Sequence, residues 1–217
     1  MGSINIIERD EIMGTDIHIC VENCIDDKWQ VVEKNNNLFW LYHGRNYDLF
    51  AILGNVRNGS GFAGVITGTG FNSISNNRGL PNNASIEVIK ELNDEEEFYH
   101  SISYITLAEL LSFDWDQVTI HYGIVNEEQY TKFKQQGYPS SWPNNICGKM
   151  IENVLPEIMD LIIDGSYEKQ DGFYYYTHIT WTVPYSWSVG KFIDECIPKL
   201  QELGFPENVR IIFGFDN

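Results

Sequence analysis

Five arginines stand at positions 9, 45, 57, 78 and 210, and three of them fall within the stretch from 45 to 78. Arg45 is followed by Asn46, Tyr47 and Asp48, Arg57 by Asn58, and Phe62 lies between Gly61 and Gly64. A planar guanidinium matches a phosphate or carboxylate, and glycine lets backbone N–H groups come close to an anion. Arg45 also precedes a predicted helix whose N-terminus favours negative charge. These residues, together with Arg78 and with Trp115 as a stacking ring, form a candidate pocket for a small phosphorylated, nucleotide-like ligand. The competing reading is structural. Arg57 would complement a helix C-terminus, and Arg45 and Arg78 would pair with carboxylates that the chain holds in surplus.

Asp16 and His18 are two apart on a predicted strand and therefore share a face. A carboxylate and an imidazole so placed could hold a divalent metal or make a base with its orienting partner. His178 and Asp216 would complete such a set if their strands were neighbours. Equally, Asp16 and His18 could hydrogen-bond one another on a face of the sheet, since no HExxH or related spacing accompanies them. His178-Ile-Thr180 resembles half of a two-histidine phosphoesterase signature, but its only mate, His18-Ile-Cys20, lacks the hydroxyl. Gly68-Thr-Gly70 lacks the third glycine of a dinucleotide fingerprint, and neither GxxxxGK[ST] nor GxSxG occurs. Six tryptophans and Tyr174 to Tyr176 supply stacking surfaces, most of them expected in the core. Trp142, in a loop rich in Pro, Ser and Asn, is expected to be partly exposed and to line a pocket or an oligomer contact.

The charge balance limits the partners. Lys and Arg total 14 against 31 Asp and Glu, a net charge of −17 in 217 residues. Neutralising duplex nucleic acid or an anionic membrane surface is disfavoured for such a chain. With 43% hydrophobic residues it is too apolar for a disordered acidic tail. The longest apolar runs, 38–42 and 49–53, are far below the ~20 residues needed to span a bilayer. No cationic and apolar leader is visible, and four scattered cysteines read as reduced thiols, so the expected location is cytoplasmic.

The elements that must position these residues can be read from periodicity. Residues 15–33 form a hairpin, 47–57 a helix capped by Asn46, and 85–92 a short helix followed by an acidic surface turn at 94–97. Between 58 and 84 six glycines and six asparagines mark a long loop, a feature that is usually functional or mobile. Strands are expected at 99–105, 118–125, 173–183 and 209–215. Helices start at the T-x-x-E box of Thr106, at Asn126 and at Pro156, and one capped by Ser188 runs to Gly204. The final strand, helix and strand are expected either to cross over within one sheet or to bracket an antiparallel partner. The predicted class is α+β, with residues 1–12 an extension and 13–217 a single domain. Its sheet is mainly antiparallel, built from N- and C-terminal strands and flanked by helices.

Several strings together resemble a known family. They are Met13-Gly-Thr-Asp-Ile-His18, Arg45-Asn-Tyr-Asp-Leu-Phe50, Val56-Arg-Asn-Gly59, Gly61-Phe-Ala-Gly64, Thr67-Gly68, Arg78-Gly-Leu-Pro81, Thr106-Leu-Ala-Glu-Leu110, Asp114-Trp115, and the terminal Val209-Arg210 with Phe215-Asp-Asn217. The chain resembles a family of uncharacterised proteins of bacteriophages and bacterial genomes, densely over 13–125 and thinly at the C-terminus. Where that family carries a histidine pair, this chain has His100-Ser-Ile-Ser103. The clustered Arg, Gly and aromatic residues and the missing catalytic motifs, together with the phage association that the resemblance implies, lead to a first reading: a protein that captures a small anionic ligand, for example a signalling nucleotide of host defence, in the host-cell cytoplasm. Two further readings remain open: a metal-assisted hydrolase or phosphodiesterase using Asp16 and His18, and an acidic interaction module or nucleic-acid mimic. A homo-oligomer is compatible with all three.

Overall fold

The structure is a computed structural model that describes residues 14–93 and 98–216. The extension 1–12 and the acidic turn 94–97 lie outside the described residues.

Alternation of Ile17, Ile19 and Val21 with Asp16, His18 and Cys20 builds strand β1, Asp16–Ile25. Asp26 and Asp27 turn it at φ 49° and 60° into β2, Lys28–Val31, since a short polar side chain tolerates the left-handed region. Strand β7, Val209–Asp216, runs antiparallel to β1, with Asp16 opposite Asp216 and Glu22 opposite Arg210. Strand β3, His100–Thr106, flanks β7 on its other side, giving the antiparallel order β2-β1-β7-β3. Both faces of this sheet are covered, which is why β7, Arg210 apart, is apolar on both faces through Phe215 rather than alternating.

On one face lies helix α1, Tyr47–Gly54, whose Leu49 to Leu53 are fully buried. It ends at Asn55, φ 59°, three residues before the predicted stop, because asparagine accepts the left-handed cap that glycine usually supplies. On the other face α2, Ile86–Leu92, sets Val88 and Leu92 against Cys20 and Ile212. Helix α3, Leu107–Ser112, opens on the expected reciprocal bonds between Thr106 and Glu109.

A second sheet has the order β4-β6-β5. Strand β4, Val118–Asn126, is antiparallel to β6, Tyr174–Pro184, and β5, Ile151–Val154, is parallel to it. Four residues with two polar members gave β5 no periodic signal, and sequence reading passed over it. Tyr175, Thr177, Ile179, Trp181 and Val183 point inward as their alternation requires. Helices α4, Glu127–Gln136, and α5, Pro156–Ile163, cover one end of that inner face through Tyr130, Met159 and Ile162.

Two expectations about the C-terminal part are corrected. Strands β6 and β7 belong to different sheets, so the closing strand-helix-strand neither crosses over within one sheet nor brackets a partner. Nor does Ser188 cap the intervening helix: Pro184 leads directly into α6, Tyr185–Ser188. A wide turn, Phe192–Cys196, follows, with the Ile197 N–H reaching the Phe192 carbonyl, and then α7, Ile197–Gln201. Pro198 has no N–H to donate and its ring would press on the carbonyl four residues back, so the helix widens ahead of it. The stripe Val189, Phe192, Cys196 and Leu200 still faces the core. The architecture is α+β, with its main sheet antiparallel, joined by N- and C-terminal strands and flanked by helices.

Candidate functional site

The start of α1, the glycine-rich loop and the inner face of the second sheet surround a cleft with two lobes. The first, about 330 Å³, is lined by Arg45 to Asp48, by Ser60, Gly61 and Thr67, and by His121 and Asn144. The second, about 290 Å³, is walled by Tyr138, Trp181 and Trp187. Asp48, His121 and Trp142 border both lobes. Volumes near the lower end of ordinary ligand pockets suit a small molecule.

Each side chain is placed by its element. Asn46 Oδ1 accepts the Leu49 N–H at 3.1 Å, capping α1, while its Nδ2 donates to the Ser188 carbonyl at 2.8 Å and ties the helix to α6. Asp48 therefore stands in the first turn, facing His121. His121 lies on the inner face of β4 opposite Trp181, their rings stacked at 5.6 Å and 19°. The glycine-rich loop is no slack segment here. Thr69 N–H donates to the Ile120 carbonyl and Tyr122 N–H to the Thr67 carbonyl, at 2.8 and 2.9 Å, so the loop adds to the edge of β4. Trp142 lies over Gly123, where a Cβ would come within 2.7 Å of its ring, and stands edge-on to Trp181 at 4.8 Å.

Burial pushes the Asp48 carboxyl above the usual carboxylate range, against the smaller opposing effects of the nearby His121 charge and a hydrogen bond from Ser188. Burial likewise pushes His121 below the ordinary imidazole value, with Asp48 acting the other way. The environment thus draws the two pKa values towards each other, a pattern common where protons are exchanged. His121 Nε2 and Asn144 Oδ1 are buried without a hydrogen-bond partner among the described residues, a costly arrangement that a bound polar group would relieve.

A stability consequence follows from the Asp48 shift. In the folded chain Asp48 keeps its proton to higher pH than in the unfolded chain, whose value is 3.8. Folding therefore loses stability as pH rises from the ordinary carboxylate range through the raised value. Asparagine has no such ionisation. Asp48→Asn is expected to melt higher than the parent near pH 7, the gain fading as pH falls through about 4 and Asp48 becomes neutral in both the folded and the unfolded chain; melting temperatures measured across that range check it.

Of the nine residues proposed for ligand binding, Arg45, Asn46, Tyr47 and Asp48 line the cleft. Arg45 is also paired with Asp16, its Nε donating to Oδ1 at 2.8 Å and its second nitrogen to Oδ2. The other five do not line either lobe. Arg57 Nε donates to Thr15 Oγ1 at 3.0 Å and the guanidinium lies over the Tyr47 ring. Asn58 accepts the Phe71 N–H and donates to the Phe71 carbonyl, bracing the loop. Phe62 is exposed outside the cleft. Arg78 pairs with Glu109 and bonds the Tyr104 carbonyl beside β3, and Trp115 donates to the Leu110 carbonyl and packs against the main core.

Asp16 and His18, read above as possible metal ligands, each have another partner in the structure. His18 Nε2 lies 3.0 Å from Asp216 Oδ2, between the rings of Phe39 and Tyr99, and Asp216 Oδ1 accepts the Asp16 N–H. The Asp16 carboxylate is held by Arg45, and His178 is exposed on the second sheet. Among the described residues no three His, Cys, Asp or Glu side chains are grouped to hold a metal ion. Trp142, read from the sequence as lining a pocket or an oligomer contact, borders both lobes, and His121 and Asn144 were not among the sequence candidates. The available signal was a histidine on the inward face of a strand, at the position where Thr119 and Val125 are buried.

Fold and cleft together define an α+β protein with a two-lobed cleft between its two sheets. No family model, curated protein or solved structure matches the chain. Among the described residues no helix is long and apolar enough to cross a membrane.

Proposed function

We propose that the cleft binds a small nucleotide-like ligand, with its flat ring against the tryptophans and its anionic end beside Arg45 and the first turn of α1. The observation that carries this reading is the two-lobed cleft itself. One lobe is walled by Trp142, Trp181 and Trp187, and the other holds Arg45, hydroxyls from Ser60 and Thr67, and the unpartnered His121 Nε2 and Asn144 Oδ1. Aromatic faces stack any base, and the polar lobe suits a ribose and phosphate. The resemblance to a phage-borne family supports a host signalling nucleotide as the source, captured in the host cytoplasm.

Titrating the four common nucleoside monophosphates while following tryptophan fluorescence tests the reading. Quenching by at least one is expected. Trp142→Ala should weaken that binding by roughly 1–3 kcal/mol, the loss of one stacking platform, which is about five- to 150-fold in Kd. If no nucleotide quenches the fluorescence or raises the melting temperature, the reading is wrong.

A further inference from the structure

We propose that His121 is the general base of a hydrolytic centre in this cleft, acting on a phosphoester of the nucleotide-like ligand, with Asp48 steadying the imidazolium that forms. The inference deepens the binding reading above and rests on it.

His121 is held rigidly. Its backbone is sandwiched between β6 and the loop at Gly68, and its ring is pressed between Trp181 and the edge of Phe71 at 6.3 Å. A fixed ring whose Nε2 is withdrawn from solvent and unpartnered can accept a proton only from a group that enters the cleft. Its surroundings favour the neutral ring, the form that a base requires. Among the described residues Asp48 is the sole carboxylate lining either lobe, and Arg45 the sole other charged side chain there, already turned to Asp16. Protonation of His121 therefore has one partner placed to stabilise it. Asp48 as a carboxylate takes no proton in the step; its charge favours the imidazolium beside it.

The step balances with water as the only co-reactant. A water oxygen forms a bond to phosphorus while one of its protons moves to His121 Nε2. The bond from phosphorus to the leaving oxygen then breaks, and that oxygen takes the proton held on Nε2. The products are the free alcohol and a phosphate carrying the water oxygen; His121 and Asp48 return to their starting states, and nothing is oxidised or reduced. Ser60, Thr67 and Asn144 line the lobe in which that water would sit.

The test uses the full chain and the p-nitrophenyl ester of thymidine 5′-monophosphate, a nucleotide phosphodiester that releases a coloured phenolate. Quenching of tryptophan fluorescence reports binding of the probe and colour reports turnover. Turnover is expected to rise with pH as His121 loses its proton and then to level. His121→Gln should lower kcat at saturating probe by roughly 10²–10⁴-fold, the usual contribution of a positioned base. Asp48→Asn should lower kcat while moving the pH limb, a change that a merely structural residue would not produce. Melting curves of both variants establish that they fold. A probe that binds but is not hydrolysed, or is hydrolysed equally by His121→Gln, overturns the inference and leaves the binding reading intact. A probe that does not bind overturns the inference, and the binding reading falls with it only if the nucleoside monophosphates fail to bind as well.

Discussion

Replacing Glu22 with alanine is expected to cost about 3–5 kcal/mol of folding free energy, the range for removing one partner of a buried ion pair. At roughly 2–4 °C per kcal/mol for a chain of this size, the melting temperature should fall by about 6–20 °C. Glu22 is fully buried and Arg210, opposite it on β7, is 4% exposed. Oε2 of Glu22 accepts from both Nε and a terminal nitrogen of Arg210, at 2.8 and 2.6 Å, and Oε1 accepts the Ser85 N–H at 2.6 Å. Arg210 also donates to the Asn83 side chain and lies 3.8 Å from the centre of the Trp29 ring. Alanine would leave the guanidinium buried in the sheet with only neutral partners and would orphan the N–H that starts α2. Pairing Glu22→Leu with Arg210→Met should recover much of the loss, because an apolar pair needs no partner charge. Thermal unfolding of the three variants decides this, and a single-variant loss below about 1 kcal/mol, the scale of an exposed pair, would refute it.

That ion pair bears on the cleft through register. Slipping β1 by one residue would turn its side chains to the opposite face. Glu22 opposite Arg210 fixes the strand, and six residues earlier Asp16 then meets Arg45, whose segment leads into Asn46, Tyr47 and Asp48. An arginine that looked in the sequence like a ligand-binding residue thus serves partly to moor the segment that lines the site.

Local signals in the sequence account for most of the fold. The Thr106 box, the helix starts at Asn126 and Pro156 and the alternation of 173–183 each act within a few residues, so their consequences can be read without knowing what is distant. The short β5 could not be read this way, because it is specified by parallel pairing to Tyr174 to Thr177 rather than by its own pattern. The wide turn before Pro198 was missed for another reason: the apolar stripe continues through it, and only the missing N–H marks the change. For the site, the segment 45–48 was legible from charge and helix-cap chemistry. His121 was not, since its partner Asp48 is 73 residues away in the chain and meets it only through the docking of two sheets. The clustering of Arg45, Arg57 and Arg78 in sequence misled for the same reason: their loop turns each to a different neighbour, Asp16, Thr15 and Glu109.

Gly68→Ala is expected to unseat the wall between the loop and β4. A Cβ at position 68 would run into the Ile120 carbonyl oxygen, a backbone atom held in the sheet that cannot swing aside as a side chain could. Forcing a methyl group into that contact costs roughly 1–3 kcal/mol by the scale of overpacking, and the cheaper outcome is for the loop to leave the strand edge. The bonds from Thr69 to Ile120 and from Tyr122 to Thr67 would then open, and Ser60, Gly61 and Thr67 would withdraw from the polar lobe. Nucleotide quenching of tryptophan fluorescence should be lost in this variant even at temperatures where it stays folded. Gly64→Ala is the control within the same loop. Its Cβ meets nothing within 4 Å, so only the modest strain of φ 69° remains, and binding should persist. Amide hydrogen exchange resolves the local event: Thr69 and Tyr122 should exchange faster in Gly68→Ala and at the parental rate in Gly64→Ala. Unchanged protection of both amides in Gly68→Ala would show that the loop is held to β4 by something other than this close approach of two backbones.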